Sequence, residues 1–205
     1  MKLESKIIYK ELTDLSRLPE IHSLTYDTFV DGGLILPKEE RELDLYPHLN
    51  RIRETVIIIA ECEGKIIGTN SVTLDSRNGL HTDLYFRKET NQFRRINKRI
   101  GSSWRIATDK DHRGSIKIIM NLIKHSLLIG LKMNMEKCLF VFEKKNERVY
   151  QKLIGATTIA EKRRSADPNV DYKIHMVLMA ADVEEVYDAL SRREQKRKTL
   201  KMAYA

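Results

Sequence analysis

Apolar residues along the chain recur at two spacings, and the switches between them mark out the elements. Residues 6–13 (KIIYKELT) read as a first strand. Asp14 then has the chemistry of a helix cap, and Leu15, Leu18, Ile21, Leu24, Tyr26 and Phe29 follow at roughly helical spacing until Gly32-Gly33 ends the run. Residues 34–54 hold Pro37, Pro47 and many charges, which suits a long loop or a short helix. The β-branched run 55–63 (TVIIIAECE), the turn Glu63-Gly64-Lys65 and the run 66–74 (IIGTNSVTL) predict a hairpin. Residues 81–98 have a helical pattern, with Leu84, Tyr85, Phe86 and Phe93 among charges. Residues 102–108 (SSWRIAT) read as a strand, and Asp111-His112-Arg113-Gly114-Ser115 turns into a helix over 115–132. That helix carries Ile116, Ile119, Met120, Ile123, Leu127 and Leu131 on one face. A buried strand follows at 138–142, then a short helix at 146–153 ended by Gly155, strands at 157–162 and 173–179, and a last helix from 181 to about 201.

Strand 102–108, its helix and strand 138–142 have the form of a parallel crossover. The order therefore implies an α/β fold: a mixed, mostly antiparallel sheet with hairpins around one parallel pair. No repeat or low-complexity tract interrupts it. Residues 1–181 read as one domain and 182–205 as a basic C-terminal helical extension, because Val183, Val186, Tyr187 and Leu190 can pack only its first half.

Composition narrows the function. The 205 residues are 41% hydrophobic and 32% charged, enough for a core without disulfides or metals. No apolar run approaches the roughly 20 residues of a membrane helix. The N-terminus lacks the apolar block of a signal peptide, so a cytoplasmic location is expected. Two cysteines make no disulfide framework, no Cys/His cluster has zinc spacing, and neither a Gly-x-Ser-x-Gly elbow nor a phosphate-loop motif occurs. The net charge of +8 is compatible with nucleic acid, an anionic membrane surface, an acidic protein partner or simple solubility. The excess is dense in two places, 87–99 (Arg94, Arg95, Lys98, Arg99) and 192–201. Neither interleaves bases with aromatics, which makes nucleic acid an unlikely partner.

Three stretches carry a resemblance. The hairpin AECEGKIIGTNSV (60–72), the segment WRIATDKDHRGSIKII (104–119) and the segment NERVYQKLIGA (146–156) are similar to the GCN5-related acetyltransferase (GNAT) fold, with its helices on both faces of the sheet. The long stretch between the third strand and 102–108 resembles the branch of N-acyl amino acid synthases and acyl-homoserine-lactone synthases. Glu42-Leu43-Asp44-Leu45-Tyr46 is similar to that branch's Glu-x-Asp-x-Tyr, and Arg105 to the Arg of its Glu-x-x-Arg, with Ser102 where the Glu would stand.

The resemblance implies an N-acyltransferase moving an acyl group, long-chain in that branch, from an acyl carrier protein or acyl-CoA thioester to a small amine acceptor such as an amino acid. No permanently bound cofactor is implied; acyl-CoA or acyl-phosphopantetheine is the donor. Arg113, Gly114 and Ser115, at a helix N-terminus, suit a donor phosphate. Ile116 and Ile118 replace the family's glycines there, which suits a donor presenting one phosphate. A plain strand-to-helix turn is the other reading. Ile106, Thr108 and Asn146 complete the expected donor site. Tyr150 is placed to protonate a leaving thiolate, or else packs on the sheet. Arg105 on an apolar strand needs a partner, for which Asp44 and Glu61 are candidates, and these carboxylates with Asp75 are also the candidate bases. Ile57, Ile59 and Trp104 line either the core or an acyl tunnel. An acidic carrier would dock on Arg94, Arg95, Lys98 and Arg99. Two rival readings are a catalytically silent member of the fold that binds acyl groups or a protein, and a basic nucleic-acid-binding protein.

Overall fold

A computed structural model describes residues 6–165 and 173–203. Seven strands form one sheet in the order β1-β2-β3-β4-β5-β7-β6. They are β1 (Ile8–Glu11), β2 (Thr55–Cys62), β3 (Lys65–Leu74), β4 (Ile100–Thr108), β5 (Lys137–Glu143), β6 (Thr157–Ser165) and β7 (Lys173–Asp182). Every neighbouring pair is antiparallel except β4 with β5. This is the α/β arrangement with one parallel pair that the order of elements implies. The helices are α1 (Leu18–Asp31), α2 (Pro47–Asn50), α3 (Asp83–Ile96), α4 (Ile116–Lys132), α5 (Glu147–Ile154) and α6 (Val183–Ala203).

Local chemistry explains the boundaries. Asp14 caps as expected, accepting from the Ser16 N–H at 3.0 Å, but it opens a 3-10 turn (Leu15–Arg17). The α-helix proper begins where Pro19 fits its first turn. Glu63 and Gly64 both take positive φ (49° and 81°), the condition of a tight hairpin turn between β2 and β3. β7 runs three residues beyond the expected end at 179, because β5 pairs with it as far as Asp182. The loop 34–54 contains only the one-turn α2.

Helices cover both faces of the sheet. On one, α4 lies across β2 and β3, close enough that a Cβ on Gly68 would meet Ile118 Cγ2 and Leu122 Cδ1 at 3.3 Å. The first half of α6 packs beside it through Val183, Val186 and Leu190. On the other face Leu18, Ile21 and Leu24 of α1 bury Ile57 and Ile59, which are therefore core and not tunnel wall. Phe86, at a kink in α3, packs with Leu80, Ile100 and Leu139. No described helix is long and apolar enough to cross a membrane.

Candidate active site

The two central strands part company. β4 meets β5 only at Ile100–Lys137, Gly101–Cys138 and Ser102–Leu139. Beyond that point β4 stays with β3 as far as Thr108, and β5 stays with β7 as far as Glu143. A V-shaped gap opens between them, with its apex just past Ser102. A bulge in β4 accompanies it: Ser71 faces Trp104 and Thr69 faces Ala107, so two residues of β3 span three of β4. Arg105 sits in the bulge at φ 59°, a left-handed conformation that costs a non-glycine residue about 1–2 kcal/mol. The bulge turns Trp104 and Arg105 to the α1 face and leaves Ser103 and Ile106 on the α4 face.

On the α4 face the gap leads into a narrow, mostly apolar cavity of about 40 Å³. Ile106, Phe140, Phe142, Tyr150 and Ile154 form much of its wall. Ser103 and Ile106 are the only partly exposed positions of an otherwise buried β4. Tyr150 stacks flat on Phe142 at 3.8 Å, and burial pushes its hydroxyl well above the usual tyrosine range, so it remains a protonated acid. One polar cluster interrupts the apolar wall: Asn70 bonds Ser103 and Ser126.

The α1 face carries the opposite chemistry. Arg105 is 3% exposed. Its Nη1 donates to Asn50 Oδ1 at 2.6 Å, its Nη2 to Ser71 Oγ at 2.8 Å, and its guanidinium lies 4.5 Å from the Trp104 ring centre. Burial pulls its pKa down to about 10, with Asp44 opposing the shift. Asp44 reaches it through Asn50, whose amide donates to the Asp44 carboxylate, and stands 3.4 Å from His22 Nε2 at the solvent edge. Tyr46 and His81 ring the Trp104 indole, which donates to Thr73 Oγ1 at 2.9 Å. His81 is fully buried, and that burial drops its pKa to about 3, so the ring is neutral. Among the described residues, four buried atoms on this face have no hydrogen-bond partner: Arg105 Nε, His81 Nδ1, Ser102 Oγ and His22 Nε2.

Of the expected site residues, Asp44 and Arg105 gather on the α1 face, and Ile106 and Tyr150 on the cavity side. Arg113, Gly114 and Ser115 meet at the start of α4. There Ser115 caps the Ile118 N–H, and Arg113 is tied to Asp31. Thr108 is buried at the far end of β4, and its carbonyl accepts from Thr28. Asn146 opens α5 without capping it through its side chain. Glu61 stands apart: Lys10 holds it at 2.7 Å and Arg17 at 2.5 Å, and it is not the partner of Arg105. Asp75 is likewise taken, by Arg94. Trp104 faces the polar pocket and not the apolar cavity.

The expected docking patch also needs correction. Arg94 is not a docking charge: it is three-quarters buried, with its guanidinium clamped between Asp75 (2.7 and 2.8 Å) and Asp83 (2.6 Å to each oxygen). Arg95, Lys98 and Arg99 are exposed. Of the tail patch, Arg192, Arg193 and Lys196 are exposed, whereas the side chains of Arg197, Lys198 and Lys201 lie outside the described residues. Sequence reasoning missed Asn50, Ser71, Asn70, Ser126 and His81. A signal existed for two of them. Thr69-Asn70-Ser71 puts three polar residues into the middle of a strand whose neighbours are apolar, and all three are at most 1% exposed.

A sheet splayed between its parallel strands, with an apolar cavity on one face and a buried polar cluster on the other, is an acyltransferase fold of the GNAT type. An acetyltransferase of the GNAT family from Streptococcus pneumoniae superposes with a TM-score of 0.54 at 14% identity, covering 86% of this chain and 99% of that one. The family model for the N-acyl amino acid synthase FeeM matches residues 20–182, and the chain belongs to that family. It is an N-acyltransferase. FeeM from uncultured soil microbes superposes with a TM-score of 0.72 at 15% identity, over 88% of this chain and 93% of that one. BjaI, a CoA-dependent acyl-homoserine lactone synthase solved with SAM and isopentyl-CoA, gives 0.62 at 15%, over 92% and 89%. No curated protein matches the sequence.

Proposed function

We propose that the enzyme transfers a fatty-acyl group from a thioester, on an acyl carrier protein or coenzyme A, to the amine of an amino acid. The observation that carries this reading is the gap between β4 and β5, which lies between a narrow apolar cavity and a buried polar cluster that holds a cation. The acyl chain lies in the cavity, and the thioester carbonyl sits at the apex of the gap. Backbone N–H groups freed where the β4–β5 ladder ends polarise it. The acceptor enters from the α1 face, and its carboxylate meets the unpaired Nε–H of Arg105.

The amine lone pair attacks the carbonyl carbon and forms the C–N bond. The tetrahedral oxyanion collapses, the C–S bond breaks, and the thiolate takes its proton from Tyr150. Asp44, at the wet edge of the pocket, receives the amine proton through water. Arg113, Gly114 and Ser115 stand where a donor phosphate would sit, and the phosphate would compete with Asp31 for Arg113. The exposed Arg95, Lys98 and Arg99 favour an acidic carrier protein as donor.

The test is direct. Purified enzyme is mixed with long-chain acyl carrier protein or acyl-CoA and a set of amino acids, with thiol release and acyl amides followed by absorbance and mass spectrometry. Thiol release matched by N-acyl amino acid is expected. Thioesters left intact with every acceptor would sink the reading.

A further inference from the structure

Apart from the Tyr150 hydroxyl, the cavity wall is apolar except at one cluster, and that cluster stands beside the apex of the gap. Asn70, Ser103 and Ser126 come from β3, β4 and α4, and all three line the cavity. Ser103 directly follows Ser102, the last residue of β4 paired to β5, so the cluster marks the apex of the gap. Asn70 lies opposite the β4 bulge, outside the regular ladder. An amide 1% exposed in an apolar wall costs free energy unless it is bonded.

Counting hydrogens shows what the cluster can still bind. Asn70 Nδ2 spends its two hydrogens on Ser103 Oγ (2.9 Å) and Ser126 Oγ (2.7 Å). The Ser126 hydroxyl donates to Leu122 O at 2.8 Å, and the Ser103 hydroxyl to Asn70 Oδ1 at 3.1 Å. Every donor is used. What remains is lone pairs on Asn70 Oδ1 and on the two serine oxygens. The cluster can take a further group only if that group donates a hydrogen.

The placement says which group. With the thioester carbonyl at the apex, the first carbons of the acyl chain pass the cluster before the chain reaches the apolar part of the wall. We propose that the donor is a 3-hydroxyacyl thioester, whose hydroxyl, on the carbon two bonds from the carbonyl carbon, donates to the Asn70–Ser103–Ser126 cluster. This rests on the acyltransferase reading above and adds the class of acyl chain to it. A 3-oxo chain has no hydrogen to give. An unsubstituted chain leaves the lone pairs facing methylene.

The experiment compares three donors of one chain length and one carrier: unsubstituted, 3-hydroxy and 3-oxo. Because they share the pantetheine arm, differences report the oxygen at C3. The 3-hydroxy donor should have kcat/KM about tenfold above each of the others, the worth of one net hydrogen bond. In Asn70→Val and in Ser126→Ala that ratio should fall to about one. Equal rates in the wild type, a preference for the 3-oxo chain, or a preference kept by both variants would each overturn the proposal while leaving N-acyl transfer standing. Calorimetric binding of non-transferable 3-hydroxyacyl and acyl pantetheine amides, to wild type and Ser126→Ala, reads the same cluster without turnover. There, equal affinities in the wild type refute the hydroxyl site even if no amine is acylated.

Discussion

Arg105→Met separates what the buried guanidinium does for the fold from what it does for the acceptor. In the folded protein burial pulls its pKa down to about 10, equivalent to roughly 3 kcal/mol against the charged form. Two charge-assisted hydrogen bonds, to Asn50 and Ser71, return about 1.5–3 kcal/mol each. Methionine fills similar space without the desolvation cost but leaves those two partners short of a donor, and it keeps the strained φ of 59°. The net loss of stability is expected at about 1–3 kcal/mol, less than the roughly 5–15 kcal/mol that holds a domain of this size. The catalytic loss should be larger in kind. A charge-assisted bond to the acceptor carboxylate is worth about 3 kcal/mol, roughly 100-fold in kcat/KM for the amino acid. The folded pKa is depressed, so the unfavourable charge is present in full below about pH 10 and fades only as pH rises towards 12.5. Across neutral pH the variant's stability difference is therefore constant. Urea unfolding gives the first quantity, and thiol release at varied acceptor concentration gives the second. Wild-type acceptor kinetics in a folded Arg105→Met protein would refute the assignment of Arg105 to the acceptor.

Four further outcomes follow from the same geometry. His81 has a folded pKa of about 3 against 6.5 in the open chain, so the unfolded state gains the proton first as pH falls. Stability should drop by about 2 kcal/mol between pH 7 and pH 5 through this group, and His81→Asn should lose that share of the slope in urea titrations; an unchanged slope would show the ring to be solvated. Arg94→Ala leaves Asp75 and Asp83 facing each other without their cation and should cost about 2–4 kcal/mol in unfolding free energy. Reversing Arg95, Lys98 and Arg99 to Glu should leave the melting temperature within about 2 °C of wild type while weakening carrier-protein binding at least tenfold in a salt-dependent way; unaltered binding would place the carrier elsewhere. Tyr150→Phe keeps the stack on Phe142 and should lower kcat about 10–100-fold with little change in unfolding, whereas undiminished kcat would assign the thiolate's proton to another donor.

Much of this was legible in the order of residues. Strand and helix periodicities located every major element, and the crossover from 102–108 to 138–142 gave the parallel pair. The local similarity around Arg113-Gly114 and the hairpin pointed to the acyltransferase fold, because those features depend on neighbours in sequence: turn glycines, caps and alternating faces. Glu61 and Asp75 show the limit. As sequence they were carboxylates on or beside strands, equal to Asp44 as candidate bases. Their partners Lys10, Arg17 and Arg94 lie 51, 44 and 19 residues away, and only the pairing of β1 with β2 and the packing of the 3-10 turn and α3 against the sheet made those pairs. Arg94 read as surface charge for the same reason.

The bulge that turns Arg105 to the α1 face, the parting of β4 from β5 after Ser102, and the meeting of Asn70 with Ser103 and Ser126 are likewise tertiary facts. Sequence by itself determined which residues carry charge, which segments form strands, and that one buried arginine would need company. The tertiary structure decided which face of the sheet each side chain serves. A one-residue bulge reverses alternation, and a polar pair exists only where two distant segments are pressed together.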